Sequence, residues 1–182
     1  RFEKGISYIS DDRHGDSLVM DMTVEDNLIL RDFDREPFSR KMVLDYRQAE
    51  KRAREALDEY SIKTSGKSGI KTPVKLMSGG NQQKVILSRE ISGEAGLIVA
   101  SQPTRGLDIG ATRFVHETLL RQRDAGRCVL LISADLDEIL GVSDRVAVMY
   151  EGRIIGILNR DEADVHKIGL LMGGIAKEAA NE

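Results

Sequence analysis

The chain has 182 residues, about one domain, with 41% apolar and 31% charged residues, a composition that excludes disorder throughout. Lys and Arg number 27 against 30 Asp and Glu, a net charge of -3, and four Tyr, four Phe and no Trp are available for stacking, which argues against a dedicated nucleic-acid binder. A lone cysteine, Cys128, rules out an internal disulfide framework or a multi-cysteine metal site and fits a reducing compartment.

Gly5 to Ile9 reads as a strand that begins almost at once after Arg1, which is not an initiator Met, so the chain is expected to be a piece of something longer. Asp11 to Ser17 is a polar loop. Thr23 offers an N-cap and Glu25 and Asp26 first-turn acids for a helix near 24 to 31. Residues 32 to 44 are mixed; then Tyr46, Ala49, Ala53, Leu57 and Tyr60 recur at helical spacing, predicting an amphipathic helix over 45 to 60 whose Arg47 to Arg54 face is solvated. Ser61 to Lys75 reads as a loop, and a helix follows from about Asn81 to Ile91. Leu97 to Ala100 and Cys128 to Ile132 are short buried-type strands flanking a helix over 111 to 123, with Phe114, Val115 and Leu119 facing inward, a β-α-β unit. Leu136 to Leu140 makes a short helix, Val146 to Tyr150 and Arg153 to Leu158 a hairpin around Glu151-Gly152, and Asp161 to Met172 a closing helix. The longest apolar runs fall far short of the about 20 residues a spanning helix needs, and no basic-then-apolar leader opens the chain.

The sharpest segment is Leu76 to Val85, in which Ser78, Gly79 and Gly80 stand immediately before a helix. Glycines let a phosphate approach the backbone, free N–H groups and the helix N-terminus favour an anion, and Ser78 can donate to a phosphate oxygen. Taken alone, SGG reads equally well as a capped turn.

The longer string is more specific. SGGNQQKV, an apolar strand and then Pro103-Thr104-Arg105-Gly106-Leu107-Asp108 resemble the signature motif and the Walker B to D-loop passage of an ABC transporter nucleotide-binding domain. Gly5 to Asn27 resembles that family's Q-loop region, and Leu170 to Gly174 resembles the second ATPase half of simple-sugar and nucleoside importers. The resemblance implies an α/β fold: a P-loop NTPase-like (RecA-like) parallel-sheet subdomain plus an ABC helical subdomain, truncated at the N-terminus. It implies a division into a Q-loop strand and loop over 1–22, a helical subdomain with the signature over 23–95, and the parallel-sheet subdomain with its C-terminal hairpin and helix over 96–182. The division of composition falls near Gly93 to Gly96.

Departures from the family pattern carry equal weight. The GKS at Gly66-Lys67-Ser68 follows an amphipathic helix, and the first glycine of a P-loop would fall on position 61, which is Ser61, so it reads as a solvated loop. The family's P-loop would lie upstream of Arg1. The two acidic positions at the end of Walker B are Ser101 and Gln102, the switch-histidine position is Ala134, and the Q-loop position aligns with Asp11. Gln102 can hold a water but cannot take its proton, and losing a general base costs about 10²- to 10⁴-fold in rate.

The resemblance therefore implies a half that lacks a competent catalytic site and keeps its signature. Ser78, Gly79, Gly80, Asn81 and Gln82 would contact ATP held in trans by a second ATPase half that supplies the Mg2+ ligands, with Asp108 of the D-loop at the interface. The implied partners are that second half, transmembrane permease subunits that Met20 and Met22 would help to meet, and indirectly a solute-binding protein, at the cytoplasmic face of the inner membrane. A non-transport ABC module of DNA repair or translation is the competing reading, and an autonomous ATPase a third. His14, His116 and His166 lack metal-ligand spacing, and Cys128 reads as core.

Overall fold

A computed structural model describes residues 5–64, 66–93 and 95–175. In chain order the elements are β1 (Ile6–Ile9), α1 (Val24–Ile29), β2 (Ser39–Arg40), β3 (Val43–Leu44), α2 (Tyr46–Glu59), α3 (Gly79–Ile91), β4 (Leu97–Ser101), α4 (Ile109–Asp124), β5 (Cys128–Ile132), α5 (Leu136–Val142), β6 (Arg145–Tyr150), β7 (Arg153–Asn159) and α6 (Val165–Met172). Every strand and helix read from periodicity is present. The largest shift is in α6, expected from Asp161; the helix starts at Val165 because the Asp164 carboxylate accepts from the Lys167 amide at 2.8 Å and so caps it. Two stretches read as loops carry short helical turns: a π turn over Arg13–Ser17, and 3₁₀ segments over Gly66–Lys71 and Val74–Leu76. Such turns are too short to have a readable period. The solvent exposure expected of Lys67 lies outside the described side chains.

The chain divides into two compact units, one ending at Ile132 and the other starting at Ser133. The division expected at 95/96 lies inside the first. That unit is built on a parallel sheet in the order β1-β4-β5, with α4 as the crossover between β4 and β5. Strand alternation sends Ser7, Ile9, Ile98 and Ala100 to the buried face, where they meet a core that includes Val24, Leu28, Val85, Ile86, Leu87 and Val115.

Cys128 is a correction: expected in the core, it is exposed. Together with Leu130 (51%) and Ile132 (48%) it lies on the opposite face of β5, while Val129 and Leu131 pack toward the helices. The uniformly apolar string CVLLI hides that alternation from a sequence reading.

Helix α3 is the structural centre of this unit, buried nearly all round from Gln82 to Ile91. It carries charge inward. Glu90 lies 3.5 Å from Arg31 and 2.9 Å from Arg89, Arg31 also donates to Ser7 Oγ at 2.8 Å, and Ser7 donates to the Glu90 carbonyl at 2.6 Å. These bonds fasten the end of α3 to the segment following α1 and to β1, and satisfy charges that burial would otherwise make costly. At its other end α1 is closed by a capping box, with the Thr23 hydroxyl accepting from the Asp26 amide and the Asp26 carboxylate from the Thr23 amide.

In the second unit β6 and β7 pair as an antiparallel hairpin around Glu151 and Gly152, whose φ of 46° and 76° suit the right-handed twist of the flanking strands. Ile168 and Leu171 of α6 complete its core with Val146, Val148 and Leu158. Among the described residues no helix is long and apolar enough to cross a membrane.

Candidate functional site

Three segments distant in sequence form one face of the first unit: the 12–17 turn, the start of α3, and the 101–108 loop. Ser78 is extended (φ -66°, ψ 155°) and caps α3, its Oγ accepting from the Asn81 amide at 3.5 Å and from Asn81 Nδ2 at 3.0 Å. The Asn81 side-chain oxygen in turn accepts from the Lys63 amide at 2.8 Å. Ser78 is exposed, and within this chain its hydroxyl serves as an acceptor, which leaves its hydrogen to donate outward.

The two glycines differ. A Cβ on Gly80 would stand 2.9 Å from Ala111 Cβ, so the packing of α3 on α4 requires a glycine there. A Cβ on Gly79 would meet nothing closer than Arg13 Nη2 and Leu107 Cδ2, each at 3.9 Å, an ordinary contact. The fold leaves the backbone of Gly79 bare without needing it bare.

Gln82 is 4% exposed and both ends of its amide are engaged inside the fold: Nε2 donates to the Val74 and Met77 carbonyls at 3.0 and 3.3 Å, and Oε1 lies 3.0 Å from His14 Nε2. Because Oε1 accepts, His14 carries a proton on Nε2. His14 is held in place by Asp12, whose carboxylate accepts from the His14 and Gly15 amides at 3.1 and 2.9 Å. Those bonds, that of Gly15 foremost, hold the Asp12 carboxyl below its usual value.

Arg13 spans the face. Its Nη1 donates to the Arg105 carbonyl at 2.8 Å, and its Nη2 lies 3.6 Å from where a Gly106 Cβ would be. Burial first, and the neighbouring Arg105 charge second, lower its pKa, yet a guanidinium stays charged at any neutral pH. Asp11 beside it is exposed.

At the end of β4, Ser101 is half-buried and pairs in register with Ile132. Gln102 takes φ 46°, left-handed for a non-glycine residue, and its amide donates to the Ile132 carbonyl at 2.8 Å. The chain then turns through Arg105 N–H to Gln102 O and Leu107 N–H to Thr104 O, both 3.1 Å. Asp108 closes the loop as the N-cap of α4, accepting from the Ala111 amide at 2.8 Å. Ala134 belongs to the second unit, exposed and directly before Asp135, the cap of α5.

This order of glycine turn, buried helix and strand, up to Arg105 in the loop that follows, is matched by a family model. The ABC transporter model covers residues 1–105. The chain belongs to the ABC transporter family. Its relatives in that family include the guanosine import ATP-binding protein NupO of Bacillus subtilis, 44% identical over 99% of this chain and 35% of that protein. The nucleoside import ATP-binding protein NupA of Lactococcus lactis is 42% identical over 94% of this chain and 33% of that protein. The ribose import ATP-binding protein RbsA of Clostridium perfringens is 39% identical, also over 94% and 33%. The ABC chain described here thus spans about a third of the length of the curated relatives it matches. A dimeric ATP-binding cassette solved in a post-hydrolysis state with ADP and Pi shares the mixed α/β fold, with a TM-score of 0.66 at 20% identity over 85% of this chain and 62% of that one.

The residues present fit part of a nucleotide site. A Gly79 backbone with no side chain over it, the exposed Ser78 hydroxyl and the half-buried start of a 13-residue helix suit a phosphate. They do not fit a metal, since Ser101 and Gln102 put no carboxylate at the strand end. Sequence reasoning missed Arg13 and the role of His14, which it weighed only as a metal ligand; the available signal was a pair of basic residues inside an acidic loop.

Proposed function

We propose that this chain is part of the ATP-binding subunit of an ABC importer of nucleosides or simple sugars, and that it presents Ser78, Gly79 and Gly80 to ATP held by a second ATPase half. The observation that carries this reading is Gly79, a glycine that the packing does not demand and that sits beside a hydroxyl free to donate. The printed activities of the relatives, guanosine, nucleoside and ribose import, support the cargo class.

Bound ATP would supply the phosphoryl group transferred to water, and the residues of this chain would orient it. Ser78 would donate to a phosphate oxygen, the Gly79 and Gly80 amides would face it, and Asn81 would hold the Ser78 oxygen in place. Gln102 could position a water but not accept its proton, so the base and the Mg2+ ligands belong to the partner half in this scheme. Asp108, already the cap of α4, would act at the interface through its remaining carboxylate oxygen, and Asp11 as the Q-loop residue. Exposed Val19 and Met22 lie on the stretch that would meet permease subunits at the cytoplasmic face of the membrane, with a solute-binding protein delivering cargo to them.

Calorimetric titration of the chain with MgATP tests the dependence on a partner. Weak or absent binding is expected; tight one-to-one binding would contradict it.

A further inference from the structure

We infer that Arg13 is a positioning residue that holds the 103–108 loop in register with the start of α3. This rests on the reading of Ser78–Gly80 as a face toward nucleotide held in trans.

Three segments meet at one guanidinium. Nη1 donates to the Arg105 carbonyl at 2.8 Å across a sequence separation of 92, and Nη2 lies 3.9 and 3.6 Å from where Cβ atoms on Gly79 and Gly106 would be. The backbone bonds of the loop itself are local, reaching from Arg105 to Gln102 and from Leu107 to Thr104, and set its shape. Leu107 adds an apolar contact, its Cδ2 3.9 Å from where a Gly79 Cβ would be. The Arg13 bond is charge-assisted and directional. The segment carrying Arg13 is itself fixed twice, by Asp12 capping the turn and by His14 Nε2 on Gln82 Oε1 at 3.0 Å, so the tether has a rigid root on the same helix it serves. Among the described residues no carboxylate pairs with Arg13. Its directional contact is the loop carbonyl, which makes the bond a clamp and not one arm of an ion pair.

The accepting atom is a backbone carbonyl, so the contact depends on the side chain of Arg13 and not on that of Arg105. That asymmetry gives the test. Amide hydrogen exchange on the full chain is expected to speed about tenfold at Arg105 and Leu107 in Arg13→Ala, to return part-way in Arg13→Lys, and to stay at the unsubstituted rate in Arg105→Ala. In the complete subunit carrying this chain with its partner half, Arg13→Ala lowers kcat for ATP about tenfold with KM unchanged, because the clamp orients a face without touching nucleotide. Unaltered exchange in Arg13→Ala overturns the clamp. Faster exchange with unaltered kcat overturns its link to turnover, as does a loss confined to KM. An unsubstituted subunit that hydrolyses no ATP refutes the in-trans reading instead, and the exchange result then decides the clamp alone.

Discussion

Gly79 and Gly80 look alike in sequence and differ in what holds them. Gly80 is demanded by the fold: adding a methyl places it 2.9 Å from Ala111 Cβ, and overpacking of that kind costs about 1–3 kcal/mol. Gly79 has room for the same methyl, and alanine is the better helix former by up to about 1 kcal/mol. Urea denaturation is therefore expected to find Gly80→Ala destabilised and Gly79→Ala unchanged or slightly more stable. ATP turnover by the complete subunit falls in Gly79→Ala all the same. A pair of variants equal in stability would remove the distinction on which the nucleotide-facing role of Gly79 is argued. The adjacent Ser78 follows the same logic, its oxygen accepting from Asn81 and its exposed hydroxyl left able to donate.

Among the elements, α3 carries the most consequence. Its N-terminus is the candidate site, its middle is the core, and its C-terminal end is bound to the segment following α1 and to β1 through Glu90, Arg31 and Ser7. Removing Glu90 takes a buried carboxylate from both Arg31 and Arg89, so Glu90→Ala costs about 3–5 kcal/mol, measured as a shift in the urea midpoint. A cost below 1 kcal/mol would mean that the network is not what holds this end of the helix. Period and turn chemistry made the existence of α3, and of the β-α-β passage from β4 through α4 to β5, legible: a serine before two glycines, then apolar strands framing a helix. The Arg31–Glu90 network was not legible, because nothing in the local spacing of either residue points across 59 positions. The same holds for Arg13 on Arg105 and His14 on Gln82, at separations of 92 and 68. Cys128 was misread for a different reason: its strand is apolar at every position, so alternation could not say which face is covered.

Among the described residues there are two cores, one in the unit of the parallel sheet that ends at Ile132 and one between the β6–β7 hairpin and α6. Ser78, Gly79, Gly80 and Asn81 all belong to the first. The strand end at Ser101 and Gln102, in that same unit, offers no base. In the proposed function this chain is half of one reaction centre: it would contribute donors to a triphosphate and leave the proton and the metal to its partner. The most direct measurement is ATP turnover by the complete subunit bearing either of two single changes. Ser78→Arg, which puts a bulky cation in place of the exposed hydroxyl, is expected to cost about 100-fold or more. Gln102→Ala, which removes no proton acceptor, is expected to stay within about twofold. Equal losses in the two variants would contradict the account.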